Sequence, residues 1–425
     1  MKVIVVPIGS SGDVHPLLGL ALELRDRGHE IVVVTNGHFE PLARKNGLAF
    51  EALGTAEEYH EAINDPDLWH PTKGTKKALE WSMARLLRPS YLIIQKHYVP
   101  GETMLVGATL SLGARVAHDK LGAPLVTTQL QPLSIYSGVK PARYPAIPAW
   151  APNWLVRLMY KFGERFVIDP IVKPPLNDFR RKHGLPPVTS SIFAEYLNSP
   201  QLVLGLFPEW FAEPPSDWPP QVRCTGFPLY DEKGVTALDP QLDAFLNEGT
   251  PPIAFTPGSA MRHGLPFFTA AAEACRTIGR RGLLLTRYPE NIPAELPSGV
   301  RHFSYAPFSQ VLPRCAALVH HGGIGTMAQG FAAGIPQLIM PMAHDQPDNA
   351  GRIERLGAGL SIPPKKFKGP AVAAILRELL EKPSYSERSK ELAKKIAADH
   401  PIKNACDHIE ALARKLGVLK EGALR

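Results

Sequence analysis

Cysteine is scarce in this chain. Four occur among 425 residues, Cys224, Cys275, Cys315 and Cys406. They are far apart and in no metal-ligand spacing, which argues against a disulfide framework or a cysteine-built zinc site. The expectation is small buried hydrophobes in a reduced, cytoplasmic protein. Long apolar runs are missing too. No stretch approaches the length of a membrane span, and the apolar start from Met1 to Pro7 is too short for the core of a signal peptide. The basic excess is modest, 47 Lys and Arg against 40 Asp and Glu, and scattered. No nucleic-acid motif accompanies it, so no nucleic-acid partner is expected. Gly9-Ser10-Ser11-Gly12 lacks the G-x-G-x-x-G spacing, and Glu30 is not at the usual ribose-reading distance. Both argue against a dinucleotide oxidoreductase. No acidic cluster suggests a metal site, so neither a metal nor a bound cofactor is expected.

What is present is an alternating α/β chain. Hydrophobic residues make up 44% of it and the net charge is +7. That charge fits anionic ligands such as nucleotide diphosphates, or peripheral contact with the inner face of an anionic membrane. Lys2 to Pro7 reads as a buried parallel strand and Gly9 to Pro16 as the loop after it. Pro16 is expected to open a helix that Gly28 ends. Glu30 to Thr35, Leu48 to Ala52, Thr103 to Val106 and Pro124 to Gln129 continue the strands, and Leu202 to Leu206 and Val222 to Gly226 finish them. The segment Leu133 to Leu176 is rich in Pro, Trp and Tyr, including Tyr144, Pro145, Trp150 and Trp154, with a helix-like run from Trp154 to Val167. It reads equally as a packed excursion and as an acceptor wall or membrane-touching patch. A linker near Pro228 to Asp239 precedes a second series, beginning with the strand Ile253 to Thr256. Such alternation means doubly wound parallel sheets. The expected domains are 1–230, 231–400 and a C-terminal helix, 401–425, within a helical tail from Tyr385 to Leu416.

The chemistry concentrates between Tyr305 and Asn349. A buried strand, Ala316 to Val319, runs into His320, His321 and the turn Gly322-Gly323-Ile324-Gly325-Thr326, which opens a helix. Glycines let a ligand approach the backbone, and a helix start aims free N–H groups at it. That suits a diphosphate. The next strand, Pro336 to Met340, delivers Asp345 and Gln346 past its carboxyl end, where ligands of open α/β sheets sit. Asp accepts hydrogen bonds from hydroxyls, and Gln both donates and accepts. A diphosphate cradle beside a hydroxyl reader suggests a nucleotide-sugar site.

These residues resemble the donor signature of family 1 glycosyltransferases with the GT-B fold, H-C-G-W-N-S…A-G-V-P…D-Q-x-x-N. Counted back from Ala333-Gly334-Ile335-Pro336, His321, Gly323 and Thr326 fall on its His, first Gly and Ser, and Asp345, Gln346 and Asn349 on its end. His320 stays a second candidate for the His role. Tyr305 stands where the plant pattern has a base-stacking Trp, and Gln329 where it has a ribose-binding Glu. The resemblance implies two Rossmann-like domains facing across a cleft. It also implies Ser259, in Phe255-Thr256-Pro257-Gly258-Ser259, on the diphosphate, and Asp13, in Gly12-Asp13-Val14-His15-Pro16, as the base. His15 is the rival base, with the better pKa for the task. Other stretches, among them Asp65 to Trp69, Gly113 to His118 and Phe207 to Phe211, resemble one bacterial subgroup, the rhamnosyltransferases of rhamnolipid synthesis. The likeness covers nearly the whole chain.

The expectation is therefore an inverting, metal-independent transferase. It would move a hexose, rhamnose or glucose, from a dTDP- or UDP-linked donor to a hydroxyl of a small hydrophobic or lipid acceptor. A nucleotide-sugar epimerase and a non-catalytic nucleotide-sugar-binding partner remain as alternatives.

Overall fold

The computed structural model describes residues 1–70, 73–142, 147, 150–231, 237–259 and 261–420. Tyr144, Pro145 and part of the linker lie outside them. The chain divides into two compact units, Met1–Pro228 with His400–Arg425, and Leu229–Asp399.

The first unit holds a seven-stranded parallel sheet: β1 (Lys2–Val6), β2 (Glu30–Thr35), β3 (Ala49–Ala52), β4 (Thr103–Ala108), β5 (Leu125–Gln129), β6 (Leu202–Gly205) and β7 (Val222–Cys224), in the order β3-β2-β1-β4-β5-β6-β7. The second unit holds six strands: β8 (Ile253–Thr256), β9 (Gly282–Leu285), β10 (Val300–Phe303), β11 (Ala317–His320), β12 (Gln337–Ile339) and β13 (Gly359–Ser361), in the order β10-β9-β8-β11-β12-β13. Helices cover both faces of such sheets, so the strands need apolar residues on both sides. Val3, Ile4, Val5 and Val6 are accordingly all buried, as are Ile253, Ala254 and Phe255.

Three boundaries differ from the sequence reading, each for a local reason. The first helix spans Ser11–Asp26 and encloses Pro16. Asp13 turns back onto the Ser10 N–H at 2.8 Å and the Ser10 hydroxyl at 3.0 Å, so a cap sets the start before the proline is reached. The run after Trp154 is an α-helix only over Asn153–Gly163 and widens to a π-turn at Glu164–Ile168. The tail is two helices, Pro383–Ala398 and Pro401–Lys415. Pro401 disfavours a helical conformation at His400 and forces the break. The first of these helices belongs to the second unit and the last to the first.

Candidate active site

Each sheet reverses its strand order once, between β1 and β4 and between β8 and β11. Loops leaving the carboxyl ends there flank a natural ligand crevice. In the second unit Thr256 and His320 are register partners at the ends of β8 and β11. The loops Pro257–Ser259 and His321–Gly323 therefore emerge side by side.

His320 is wholly buried and both ring nitrogens are used. Nδ1 accepts from the Gly322 N–H at 3.1 Å, which fixes the proton on Nε2, 2.9 Å from Gln337 Oε1. Gln337 in turn donates to the Met327 carbonyl at 3.2 Å. Burial pushes the His320 pKa down to about 3, so it is neutral at ordinary pH. His320 therefore builds the turn and has no nitrogen left for a donor, which corrects its candidacy.

His321 is the opposite case. Its Nδ1 is buried and has no hydrogen-bond partner. Burial also lowers this ring's pKa, to about 4. Glycines wrap it: a Cβ on Gly258 would lie 2.9 Å from the imidazole, and one on Gly323 only 2.5 Å away. The helix Ile324–Ala333 starts next to it with Gly323 as its cap residue, which has no side chain to satisfy the first N–H groups. A Cβ on Gly325 would meet nothing within 4 Å, so open space lies above the helix start. An unpartnered imidazole nitrogen two residues before a helix start that no side chain caps is a fit for an anion. Thr326, in the same first turn, is half-buried, and Ser259 is exposed at the end of the β8 loop.

The helix Gln346–Leu356 follows β12, with Asp345 as its cap residue. Asn349 ties it to the glycine turn: its Nδ2 donates to the Gly322 carbonyl at 2.9 Å and to Asp345 Oδ2 at 2.6 Å. Gln346 Oε1 accepts from the Met342 and Ala343 N–H groups at 2.7 and 3.0 Å. Its oxygen is therefore committed to its own loop, and only its amide N–H groups remain to meet a hydroxyl. Tyr305 follows β10, with the Arg287 guanidinium 4.9 Å from its ring centroid. Its hydroxyl donates to the Asp231 carbonyl at 3.3 Å. Gln329 is 7% exposed, on the packed flank of its helix.

In the first unit Asp13 sits in the first turn of the helix after β1. A Cβ on Gly9 would fall 2.3 Å from its Oδ2, so only glycine lets the loop close onto it. Burial raises the Asp13 pKa, opposed by the hydrogen bonds from Ser10. His15 is half-buried two residues on. At that spacing the two side chains leave the helix on different faces.

Comparison with known proteins bears on the chain's fold and class of activity. Residues 3–134 match the glycosyltransferase family 28 N-terminal domain, and residues 286–412 match the erythromycin biosynthesis protein CIII-like C-terminal domain. The chain is a nucleotide-sugar glycosyltransferase of GT-B type. It is 29% identical over 437 residues to an O-mycaminosyltylonolide 6-deoxyallosyltransferase of Streptomyces fradiae, covering 97% of this chain and 98% of that protein. The glycotransferase of kitacinnamycin superposes with a TM-score of 0.73 at 20% identity, over 97% of this chain and 99% of that one. The spinosyn rhamnosyltransferase SpnG, solved with thymidine diphosphate, superposes with a TM-score of 0.67 at 20% identity, over 98% and 100%.

In this glycosyltransferase the second unit gathers Ser259, His321, Gly322, Gly323 and Asp345 on loops, and Gly325, Thr326 and Gln346 in the first turns of the helices that follow them, at one sheet edge, with Tyr305 on the β10 loop. Asp13 and His15 stand on the first unit. Sequence reasoning missed Gln337, the partner of His320, and Arg287, the cover on Tyr305. It also missed the positioning role of Asn349. Gln337 had one visible signal: a lone amide in a strand otherwise apolar on both sides.

Proposed function

We propose that this enzyme moves a hexose, rhamnose or glucose, from a dTDP- or UDP-linked donor to a hydroxyl of a small hydrophobic or lipid acceptor, inverting the anomeric carbon and using no metal ion. The observation that carries the reading is the unpartnered His321 Nδ1 beside an uncapped, glycine-lined helix start. Charge develops on the diphosphate as the glycosidic bond breaks. Fixed donors aimed there stabilise the transition state more than the ground state. Asp13 accepts the acceptor proton as its oxygen attacks. Its raised pKa brings the carboxylate closer to that task. Asp345 and the Gln346 amide read the sugar hydroxyls, and Tyr305 carries the base. The solved rhamnosyltransferase with thymidine diphosphate supports a dTDP-linked donor, and the subgroup likeness in the sequence supports rhamnose.

A thermal-shift panel with UDP, dTDP, UDP-glucose and dTDP-rhamnose tests the donor. Stabilisation follows RT ln(1 + [L]/Kd). A shift selective for the dTDP pair supports the rhamnosyl reading, and one selective for the UDP pair a glucosyl donor. No shift with any of the four would sink the donor-site assignment.

A further inference from the structure

The helix Asn153–Gly163 and the π-turn Glu164–Ile168 turn an apolar face to solvent. Trp150, Trp154, Leu158, Phe162, Phe166 and Val167 are between 42% and 76% exposed. From Trp154 to Phe166 they recur every fourth residue, so they form one stripe along the helix. The Phe162 and Phe166 rings lie 4.6 Å apart. At ~150–250 Å² per aromatic side chain, the four aromatics together expose on the order of 400–600 Å². That is as large as the largest apolar patch expected on a whole monomer. The inner flank is fixed: Val156 is fully buried, and the Tyr160 hydroxyl donates to the Ala142 carbonyl at 3.1 Å. The stripe is therefore a held surface feature.

A second row runs beside the first. Arg157, Lys161 and Arg165 repeat at the same interval and are all exposed. None of the three joins an ion pair among the described residues. The one acid between Trp150 and Ile168 is Glu164, and it turns inward. It accepts from the Ser191 hydroxyl and from the Phe193 N–H at 3.2 Å. The outer face is thus aromatic along one row and basic along the next; the acid beside Arg157, Asp217, is engaged by the Ser137 hydroxyl and the Gly138 and Val139 N–H groups.

We propose that this face docks the enzyme on an anionic lipid bilayer, lying in the interface without crossing it. Tryptophan and phenylalanine suit the boundary between headgroups and acyl chains. Arg and Lys extend their apolar stems along it while their charges meet lipid phosphates. A protein groove would be expected to match the stripe, but it would not need a row of three basic side chains beside it that join no ion pair among the described residues. No helix among the described residues is long and apolar enough to cross a membrane. Docking of this face does not depend on which sugar or acceptor the enzyme uses.

The test is co-sedimentation of the full-length protein with vesicles of phosphatidylcholine alone and of phosphatidylcholine with phosphatidylglycerol, at low and high salt. The expected result is binding to the anionic vesicles that weakens in salt. Two variants separate the contributions, with circular dichroism checking the fold. Phe162→Ser with Phe166→Ser should abolish most binding to the anionic vesicles. Arg157→Glu with Lys161→Glu and Arg165→Glu should lower anionic binding by at least roughly a hundredfold, at about fivefold per charge. Three results would overturn the proposal: wild-type protein left in the supernatant with both vesicles, binding unchanged in the folded phenylalanine variant, or a stripe-dependent dimer in light scattering with no vesicle binding.

Discussion

Two adjacent histidines divide the labour of the donor turn. His320 spends both nitrogens on the protein, while His321 keeps one buried nitrogen unpaired. Their loss should separate accordingly. His321→Ala should weaken dTDP or UDP binding by about 10- to 150-fold, the worth of a hydrogen bond to a charged group, with little change in melting temperature. Gln337→Leu should do the reverse. It strands the His320 Nε2–H in the interior and costs about 1–3 kcal/mol of stability, read as a lower denaturation midpoint. Both rings also set a pH dependence. Their folded pKa values, about 3 and about 4, lie below the ordinary value of 6.5. As pH falls below about 6.5 the unfolded chain takes up protons that the folded chain refuses. Stability should therefore fall between about pH 6.5 and the folded values, and chemical denaturation across that range would check it.

At the level of elements, the strands were legible because parallel strands buried on both faces read as short apolar runs between turn residues. Lys2–Val6 and Ile253–Thr256 are examples. The glycine turn was legible because its chemistry is local: strand end, small residues and helix start follow one another in sequence. Side-chain partnerships across elements were not legible. His320 meets Gln337 only because β11 pairs with β12, which brings residues seventeen positions apart together. The start of the first helix was misread for a related reason. Asp13 both caps the helix through Ser10 and stands at the candidate base position, and the sequence shows Pro16 more plainly than that cap. The close packing around His321 gives a prediction at this scale. Gly323→Ala would set a Cβ 2.5 Å from the imidazole. It should displace the ring and reduce donor affinity by about the same factor as losing His321, with the fold intact by circular dichroism.

For the molecule as a whole, the last helix belongs to the first unit although the second unit precedes it in the chain. Its inner face buries Ala405, Cys406, Ile409 and Ala413, and Glu410 lies 3.0 Å from His29 while Asp407 lies 2.6 Å from Arg27. Removing residues 400–425 should therefore expose the first unit to limited proteolysis before the second. The division also carries the proposed chemistry, with the base on one unit and the donor loops on the other. Asp13→Asn isolates that claim. The amide can still accept from Ser10, and it removes a carboxylate that burial disfavours, so the variant should be at least as stable as the wild type. The deciding measurement is the rate of sugar transfer by Asp13→Asn, with nucleotide affinity taken on the same preparation. Unchanged affinity with transfer reduced by about a hundredfold or more, the usual contribution of a general base, is the predicted result. Transfer near the wild-type rate would contradict the account and move the role to His15.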